Sequence, residues 1–350
     1  MEAVTVRPMR AEEARDVRKM GRRAFAGLES LWVSKPGQAL VAVREDKIVG
    51  AVLYKLMNAG GKKIAYVDYA FVDPDYHNQG IGGSLYRAAT EFLWALSPDA
   101  LTAIVKDDNV GSWSLFLKNG FSRVSLPQLA GQFGFWGAVK QYFATPFCFG
   151  VGMEYYVALR GRECPSGKTG GVRQMLAFVL ANALLFPIAL LGSTGSAGTL
   201  FAAYLLMLFA WVAGDFVGSR FSGRGWRFRF NNGGGLVCAL ANLGALYPMI
   251  GAWYPERYEK TAGFRRDMGI TALGGWLAIL GITAFSVLGG ADRAFVRLLG
   301  QIGAMFLIYR MLPFYPFESF GGRRVYDWNR WVFGGMALIS LAVVAAVNLP

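Results

Sequence analysis

The chain reads as two folds in series. An α/β domain on one mixed sheet flanked by helices occupies residues 1–160, and an all-α polytopic membrane domain occupies residues 174–350. Three observations predict this division. Hydrophobic residues make up 54% of the 350 and charged residues only 17%, with a mean hydropathy of +0.33. A soluble domain carries about a quarter charged residues. The excess is also uneven, because residues 1–125 have ordinary soluble composition while long apolar runs begin near residue 174. Finally, strand-like and helix-like patterns alternate through the first half in an order that builds one sheet.

The elements follow in order. TVRPMRAEEARDVRKMGRRAF is a short strand and then a helix from about Ala11, with Val17 and Met20 on its buried side. ALVAVREDKIVGAVLYKLM holds two apolar runs joined by Glu45-Asp46-Lys47, a β-hairpin. KIAYVDYAFVD is aromatic and β-branched, a strand that ends near Val72 ahead of Pro74. The next helix opens at a glycine cluster and carries Leu85, Ala89, Phe92 and Leu93 at helical spacing. LTAIV is a further strand, NVGSWSLFLKNGF a short helix closed by Gly120, and GMEYYVALR a final strand.

Charge and cysteine usage exclude several classes. The net charge of +13 accompanies no nucleic-acid module, and the basic residues recur between apolar runs, as the positive-inside bias requires. The three cysteines, Cys148, Cys164 and Cys238, give neither a disulfide framework nor a metal-ligand spacing, so no metal is expected. That suits a reducing compartment. The charged, amphipathic opening MEAVTVRPMRAEEARD is unlike a secretory leader.

The sole histidine sits in DYHNQGIGGSLY. A glycine-rich turn that opens a helix presents unpaired N–H groups and a positive dipole end, which is a pyrophosphate site. Gly80 and Gly82 would let the backbone approach phosphate oxygens. Two motifs in this order and spacing, His77-Asn78-Gln79-Gly80-Ile81-Gly82 and then Asn109, Ser112, Leu115, Phe116, Lys118, Gly120 and Phe121, resemble the GNAT family of N-acetyltransferases over roughly the first 125 residues. The resemblance implies acetyl-CoA as cosubstrate. It assigns the pyrophosphate to His77 through Gly83, and the pantetheine and thioester to the backbone of Phe71 and Val72. Asn109, Ser112 and Phe116 fall on the later helix that also borders the cofactor. The family's tyrosine proton donor is replaced by Phe116, which cannot donate.

Acetyl transfer to an amine needs a neutral nucleophile, a polarised carbonyl and a proton for the leaving thiolate. The replacements in reach of the sheet are Asp68 as base, with Tyr69 or Tyr66 as donor. Strict alternation puts Tyr69 and Phe71 on one face and Tyr66 and Asp68 on the other, so only one set would line a cleft. The tyrosines equally suit packing, and Asp68 a structural hydrogen bond. GRECPSGKT is not a P-loop, since its glycine spacing is one residue too long; residues 161–173 read as a linker. The apolar insert 125–150 suggests either an interfacial helix presenting Phe133, Phe135, Trp136, Val139, Tyr142 and Phe143 on one face, or a cover on the sheet.

In the second half, apolar runs near 174–192, 197–217, 268–290, 295–313 and 331–349 are long enough to span. The run 233–254 is interrupted by Gly233–Gly235 and Pro248. Counting it as re-entrant places Arg220–Arg229, Arg257–Arg266 and Arg323–Arg330 on one side, leaving STGSA and the loop around Asp292 and Arg293 on the other. The expectation is therefore five spans plus a re-entrant or broken segment, with the N-terminal domain cytoplasmic. This half also faintly resembles the site-2 protease family of intramembrane zinc peptidases. Gly214-Asp215-Phe216-Val217-Gly218 stands in place of that family's His-Glu-x-x-His, Arg310 stands in place of its asparagine, and the distal aspartate falls at Glu318 or Gly321. With no histidine left for zinc, the resemblance implies a metal-less pseudoprotease. Asp215 is either a functional intramembrane acid or a snorkelling or Arg-paired residue.

The sequence thus predicts a membrane-anchored, acetyl-CoA-dependent N-acetyltransferase. Its partners would be the bilayer, an amine on a membrane-associated protein, lipid or small molecule, and a further membrane protein, with no nucleic acid. The competing expectation is a non-catalytic acyl-CoA sensor or scaffold.

Overall fold

The computed structural model describes residues 4–25, 30, 33, 35–107, 109–161, 164, 171–191, 196–257, 259, 261–288 and 294–348. The chain divides into two compact units, residues 1–148 with 153–168, and residues 149–152 with 169–350. Most of the expected linker 161–173, the STGSA loop and the loop around Asp292 lie outside the described residues.

The first unit is one mixed sheet of seven strands. In chain order these are β1 (Thr5–Pro8), β2 (Ala39–Arg44), β3 (Lys47–Ala59), β4 (Lys62–Val72), β5 (Ala100–Lys106), β6 (Ser122–Val124) and β7 (Met153–Leu159). Their spatial order is β1-β2-β3-β4-β5-β7-β6, and only β4 and β5 run parallel. The short β6 escaped the sequence reading. The β2–β3 connection is a two-residue turn, shorter than expected, with Glu45 and Asp46 both at positive φ (49° and 58°). That is the backbone twist a tight hairpin needs.

Helix α1 (Ala14–Ala24) lies on one face, burying Val17 and Met20 against Val41, Ala51, Leu53 and Phe71. On the other face packs α2 (Ile81–Ala95), whose Phe92 meets Tyr54 edge-on at 6.0 Å. Helix α3 (Val110–Lys118) is held to α2 by an edge-to-face contact of Phe116 with Tyr86 at 5.0 Å. Gly120, at φ 82°, closes α3 as expected.

The insert forms two helices, α4 (Leu126–Phe133) and α5 (Phe135–Ala144), split at Gly134 with φ 74°. Ser125 and Gln128 make a capping box at the start of α4. The expectation that six apolar side chains share one face is corrected by the break. Phe133 ends α4 inside a core with Leu129, Phe147 and Tyr155, while Phe135, Trp136 and Phe143 of α5 are exposed.

The second unit holds α6 (Gly171–Leu190), α7 (Ala197–Ser219), β8 (Trp226–Phe230), α8 (Gly235–Ala241), β9 (Gly251–Pro255), α9 (Ala262–Leu288), α10 (Ala294–Met311), α11 (Gly322–Trp328) and α12 (Arg330–Asn348). Among the described residues, five helices are long and apolar enough to cross a membrane: α6, α7, α9, α10 and α12. They coincide with the five expected runs. Residues 233–254 are broken into two short elements. They form the seven-residue α8 and then β9, which pairs antiparallel with β8. The alternation in Trp226–Phe230, read as a basic loop, is a strand pattern.

Gly214 and Gly218 of α7 are where that helix meets α9. A Cβ on Gly214 would stand 2.5 Å from the Gly274 carbonyl oxygen, and one on Gly218 would stand 2.8 Å from that of Ile270. Two helices this close tolerate only hydrogen as a side chain. Between these glycines, buried Asp215 accepts from Trp211 Nε1 at 3.0 Å and faces Arg310 Nη2 of α10 at 3.5 Å. Arg310 also donates to the Ala272 carbonyl at 2.7 Å and lies over the Trp211 ring. Asp215 is therefore Arg-paired. Among the described residues no cluster of His, Cys, Asp or Glu is placed to hold a metal.

Candidate functional site

Strand β4 carries the site, and its geometry departs from strict alternation. Pairing with β3 matches Lys55 to Tyr66, Tyr54 to Val67, and Leu53 to Tyr69. Asp68 is the extra residue of a β-bulge. Because a bulge inserts one residue, it resets which face the following side chains take. Ala51, Leu53 and Lys55 share one face of β3, so their partners Phe71, Tyr69 and Tyr66 share it too. The expected separation of Tyr66 from Tyr69 is thus overturned, and the bulge gathers the three candidate side chains into one neighbourhood.

The bulge also marks where the sheet opens. Parallel pairing of β4 with β5 runs from Ile64–Ala100 to Val67–Ala103 and stops. Beyond it β4 continues to Val72 and β5 to Lys106. The two strands diverge with Asp68 at the apex, leaving the β5-facing backbone edge of 68–72 outside the ladder.

The candidate side chains differ sharply. Tyr66 is buried, and burial first, then the nearby Asp68 carboxylate, pushes its hydroxyl well above the ordinary tyrosine value. It is a poor proton donor. Tyr69 is half-buried and packs edge-on against Phe25 at 5.7 Å. Asp68 is not a bare base: its buried carboxylate meets Lys55 Nζ at 2.6 Å, and the Lys55 side chain is 55% exposed. Sequence reasoning missed Lys55, which sits across the hairpin where no local spacing signals it.

The glycine turn stands at the open end of β4. Asp73 caps a 3₁₀ turn over Pro74–Tyr76 by accepting from the Asp75 N–H at 3.1 Å. Arg23 of α1 grips both Asp73 and Asp75, at 3.4 and 2.9 Å. Asn78 and Gly80 take positive φ (65° and 80°), and Gly80 is the N-cap of α2. The first-turn N–H groups of Ile81, Gly82 and Gly83 therefore point out of the helix end. A Cβ on Gly80 or Gly83 would meet nothing within 4 Å, and one on Gly82 only Val72 Cγ2 at 3.8 Å. Backbone conformation requires glycine at position 80. At 82 and 83 the protein itself makes no such demand, so the open cradle a Cβ would fill fits a pyrophosphate.

His77 has a more particular place than the lip of that cradle. Its Nε2 lies 3.0 Å from the Val72 carbonyl oxygen, fastening the loop to the end of β4. Gln79 accepts from Arg44 Nη1 at 2.9 Å. Asn109 caps α3 by accepting from the Ser112 N–H, and Ser112 Oγ pairs with the Tyr86 hydroxyl at 3.0 Å. Phe116 is buried, edge-on to Tyr86 and Phe121 and stacked on Tyr156 at 6.2 Å. The hydroxyls beside it, those of Tyr86 and Tyr156, gave no signal in the sequence. Burial raises that of Tyr86 to about 12, and Tyr156 donates to Glu154 at 3.0 Å. A cavity of about 340 Å³ lined by Trp94, Asn119, Gly120 and Arg160 lies at the far end of α2 from the glycine turn and holds none of these groups.

Residues 7–121 match the Acetyltransferase (GNAT) family. The N-terminal unit carries a GNAT acetyltransferase domain. The match spans the bulged strand, the glycine turn and α3, and it stops short of the insert. Similar solved structures include the ribosomal-protein-S18-alanine N-acetyltransferase from Escherichia coli, at 14% identity over 48% of this chain and 98% of that one, with TM-score 0.34. The N-acetylglutamate synthase from Neisseria gonorrhoeae complexed with coenzyme A and N-acetyl-glutamate matches at 16% identity over 46% of this chain and 36% of that one, TM-score 0.33. The PaiA N-acetyltransferase from Thermoplasma acidophilum in complex with coenzyme A matches at 14% over 45% and 99%, TM-score 0.33. Among curated proteins none matches significantly. Nothing in these comparisons supports the resemblance of the second unit to site-2 proteases. GNAT enzymes use acetyl-CoA.

Proposed function

We propose that the chain is a membrane-anchored, acetyl-CoA-dependent N-acetyltransferase whose acceptor is an amine on a membrane-associated protein, lipid or small molecule. The observation that carries this reading is the bulge at Asp68, which opens β4 from β5 directly beside an open glycine cradle. The cradle N–H groups of Ile81–Gly83 would take the pyrophosphate, with Arg44 ordering Gln79 and His77 fixing the loop to Val72. The β5-facing edge of 68–72, beyond the end of the parallel ladder, would take the pantetheine amides.

Asp68 is the proposed base, acting directly or through a water. Lys55 Nζ pairs with its carboxylate, and that half-exposed lysine side chain can swing into solvent to make way for the amine. The amine nitrogen attacks the thioester carbonyl carbon, its proton passes to Asp68, and the C–S bond breaks. Tyr69 is the proposed donor to the departing thiolate; Tyr66, buried behind it, serves packing. The five long apolar helices support membrane anchoring, as does the exposure of residues such as Leu184 and Leu338, at 78% and 69%. A cytoplasmic N-terminal unit accords with the basic residues Arg220–Arg229 and Arg323–Arg330, which stand between the long apolar helices whatever local structure they take.

One observation favours a second reading. Phe116, in the position of the family's proton donor, lies in a closed aromatic cluster, as befits an acyl-CoA-binding sensor that does not turn over. Thiol release from acetyl-CoA, measured on the full-length protein with a panel of primary amines and amine-bearing lipids, separates the two. Amine-dependent release supports the enzyme. Acetyl-CoA binding without release overturns it.

A further inference from the structure

We infer that α5 is a membrane-docking surface, through which the acetyltransferase domain lies against the same bilayer that holds its own apolar helices. The inference rests on the membrane reading of the second unit and adds to it a second, separate point of contact.

The helix is two-faced. Gly137, Ala138 and Gln141 are buried, and a Cβ on Gly137 would stand 2.9 Å from the Gly60 nitrogen of the β3–β4 turn. Gln141 accepts from the Tyr155 hydroxyl at 3.0 Å, so this face is fixed to the sheet. The opposite stripe runs through Phe135, Trp136, Val139, Lys140 and Phe143, spaced by three and four residues and hence on one side of the helix. Phe135, Trp136 and Phe143 are 67%, 78% and 60% exposed. Gly134 ends α4 and redirects the chain, so that Phe133 enters the core while its neighbours Phe135 and Trp136 remain outside.

Charge selects the occupant. From Ser125 to Cys148 the chain has no acidic residue and one base, Lys140, which lies within the exposed stripe. Aromatic rings with a snorkelling lysine and no carboxylate match the headgroup boundary of a bilayer containing anionic lipid. A soluble protein partner would instead be met by a polar rim around an apolar centre.

The test uses the full-length protein in vesicles of phosphatidylcholine and phosphatidylglycerol, with an environment-sensitive fluorophore at one engineered cysteine and nitroxide-labelled phosphatidylcholine as quencher. The native cysteines are buried and do not compete for label. Three positions are compared: Trp136→Cys on the stripe, Glu91→Cys on the exposed side of α2, and Leu338→Cys on the apolar helix α12. The inference predicts strong quenching at 136 and 338 and none at 91. Quenching at 338 without quenching at 136 overturns the docking surface and leaves the membrane reading intact, and this holds equally if the fluorophore at 136 is shielded from water by protein. Absence of quenching at 338 overturns the membrane reading itself.

Discussion

Asp68 in the first unit and Asp215 in the second are both hidden carboxylates beside a cation, and the two pairs are built for opposite ends. Asp68 sits in a bulge where the sheet opens, and its partner Lys55 reaches in from solvent. Asp215 sits near the C-terminal end of α7, and Arg310 is as buried as the aspartate it faces, bound in addition to the Ala272 carbonyl and laid over Trp211. A flexible, half-exposed lysine can leave its carboxylate free to take a proton. A guanidinium fixed by a carbonyl and an indole cannot. The first pair is arranged to be used, the second to be kept.

The sharpest way to break this contrast is to remove one cation at a time. Arg310→Met strands a buried carboxylate and should cost about 3–5 kcal/mol of stability, read as a lowered midpoint of unfolding in detergent micelles. Adding Asp215→Leu should recover much of that loss. Lys55→Met removes a half-exposed lysine at the opening of the sheet, where water can reach the carboxylate left behind, and should cost distinctly less than Arg310→Met. Equal losses from the two cation variants would erase the distinction.

Smaller effects sharpen the functional side. Gly82→Ala adds a Cβ that would meet only Val72 Cγ2 at an ordinary 3.8 Å, so stability should stay within about 0.5 kcal/mol. Coenzyme A affinity, measured by calorimetry, should nevertheless fall by roughly tenfold, equivalent to about 1.4 kcal/mol. His77→Ala removes the link to the Val72 carbonyl and should weaken the same affinity by only about fivefold, from the loss of one hydrogen bond of about 1 kcal/mol. The smallest effect lies far from the site. Glu13 accepts from Arg7 at 2.9 Å, and that hydrogen bond holds its carboxyl at about 2 against an ordinary 4.5. A depressed carboxylate contributes stability that is fully present above its unfolded value and lost as pH falls through its folded one. Glu13→Gln should therefore flatten the fall in stability between about pH 4.5 and pH 2, and leave the profile above pH 5 parallel to that of the unchanged protein.

What the sequence made legible follows from which signals are local. The glycine turn was readable because Pro74, Gly80 and the helix behind them are contiguous, and the backbone angles agree. The five apolar helices were readable because length and composition alone decide them. The face of Tyr66 was not, because one bulged residue reverses alternation and nothing in YVDYAFV announces it. Lys55 and Arg310 were invisible as partners since each comes from another element. The strand Trp226–Phe230 was obscured because its arginines resemble a basic membrane-flanking loop. The split of the insert at Gly134 was missed because a glycine at positive φ looks, in sequence, like any helical glycine.

The central claim is that the open strand at Asp68 does chemistry, and turnover of full-length protein with and without that carboxylate tests it most directly. Amine-dependent thiol release from acetyl-CoA should fall by roughly 10²-fold in Asp68→Asn, the contribution of one general base, while coenzyme A affinity stays unchanged. Tight acetyl-CoA binding with no turnover in the unmodified chain, or turnover indifferent to Asp68→Asn, would contradict it.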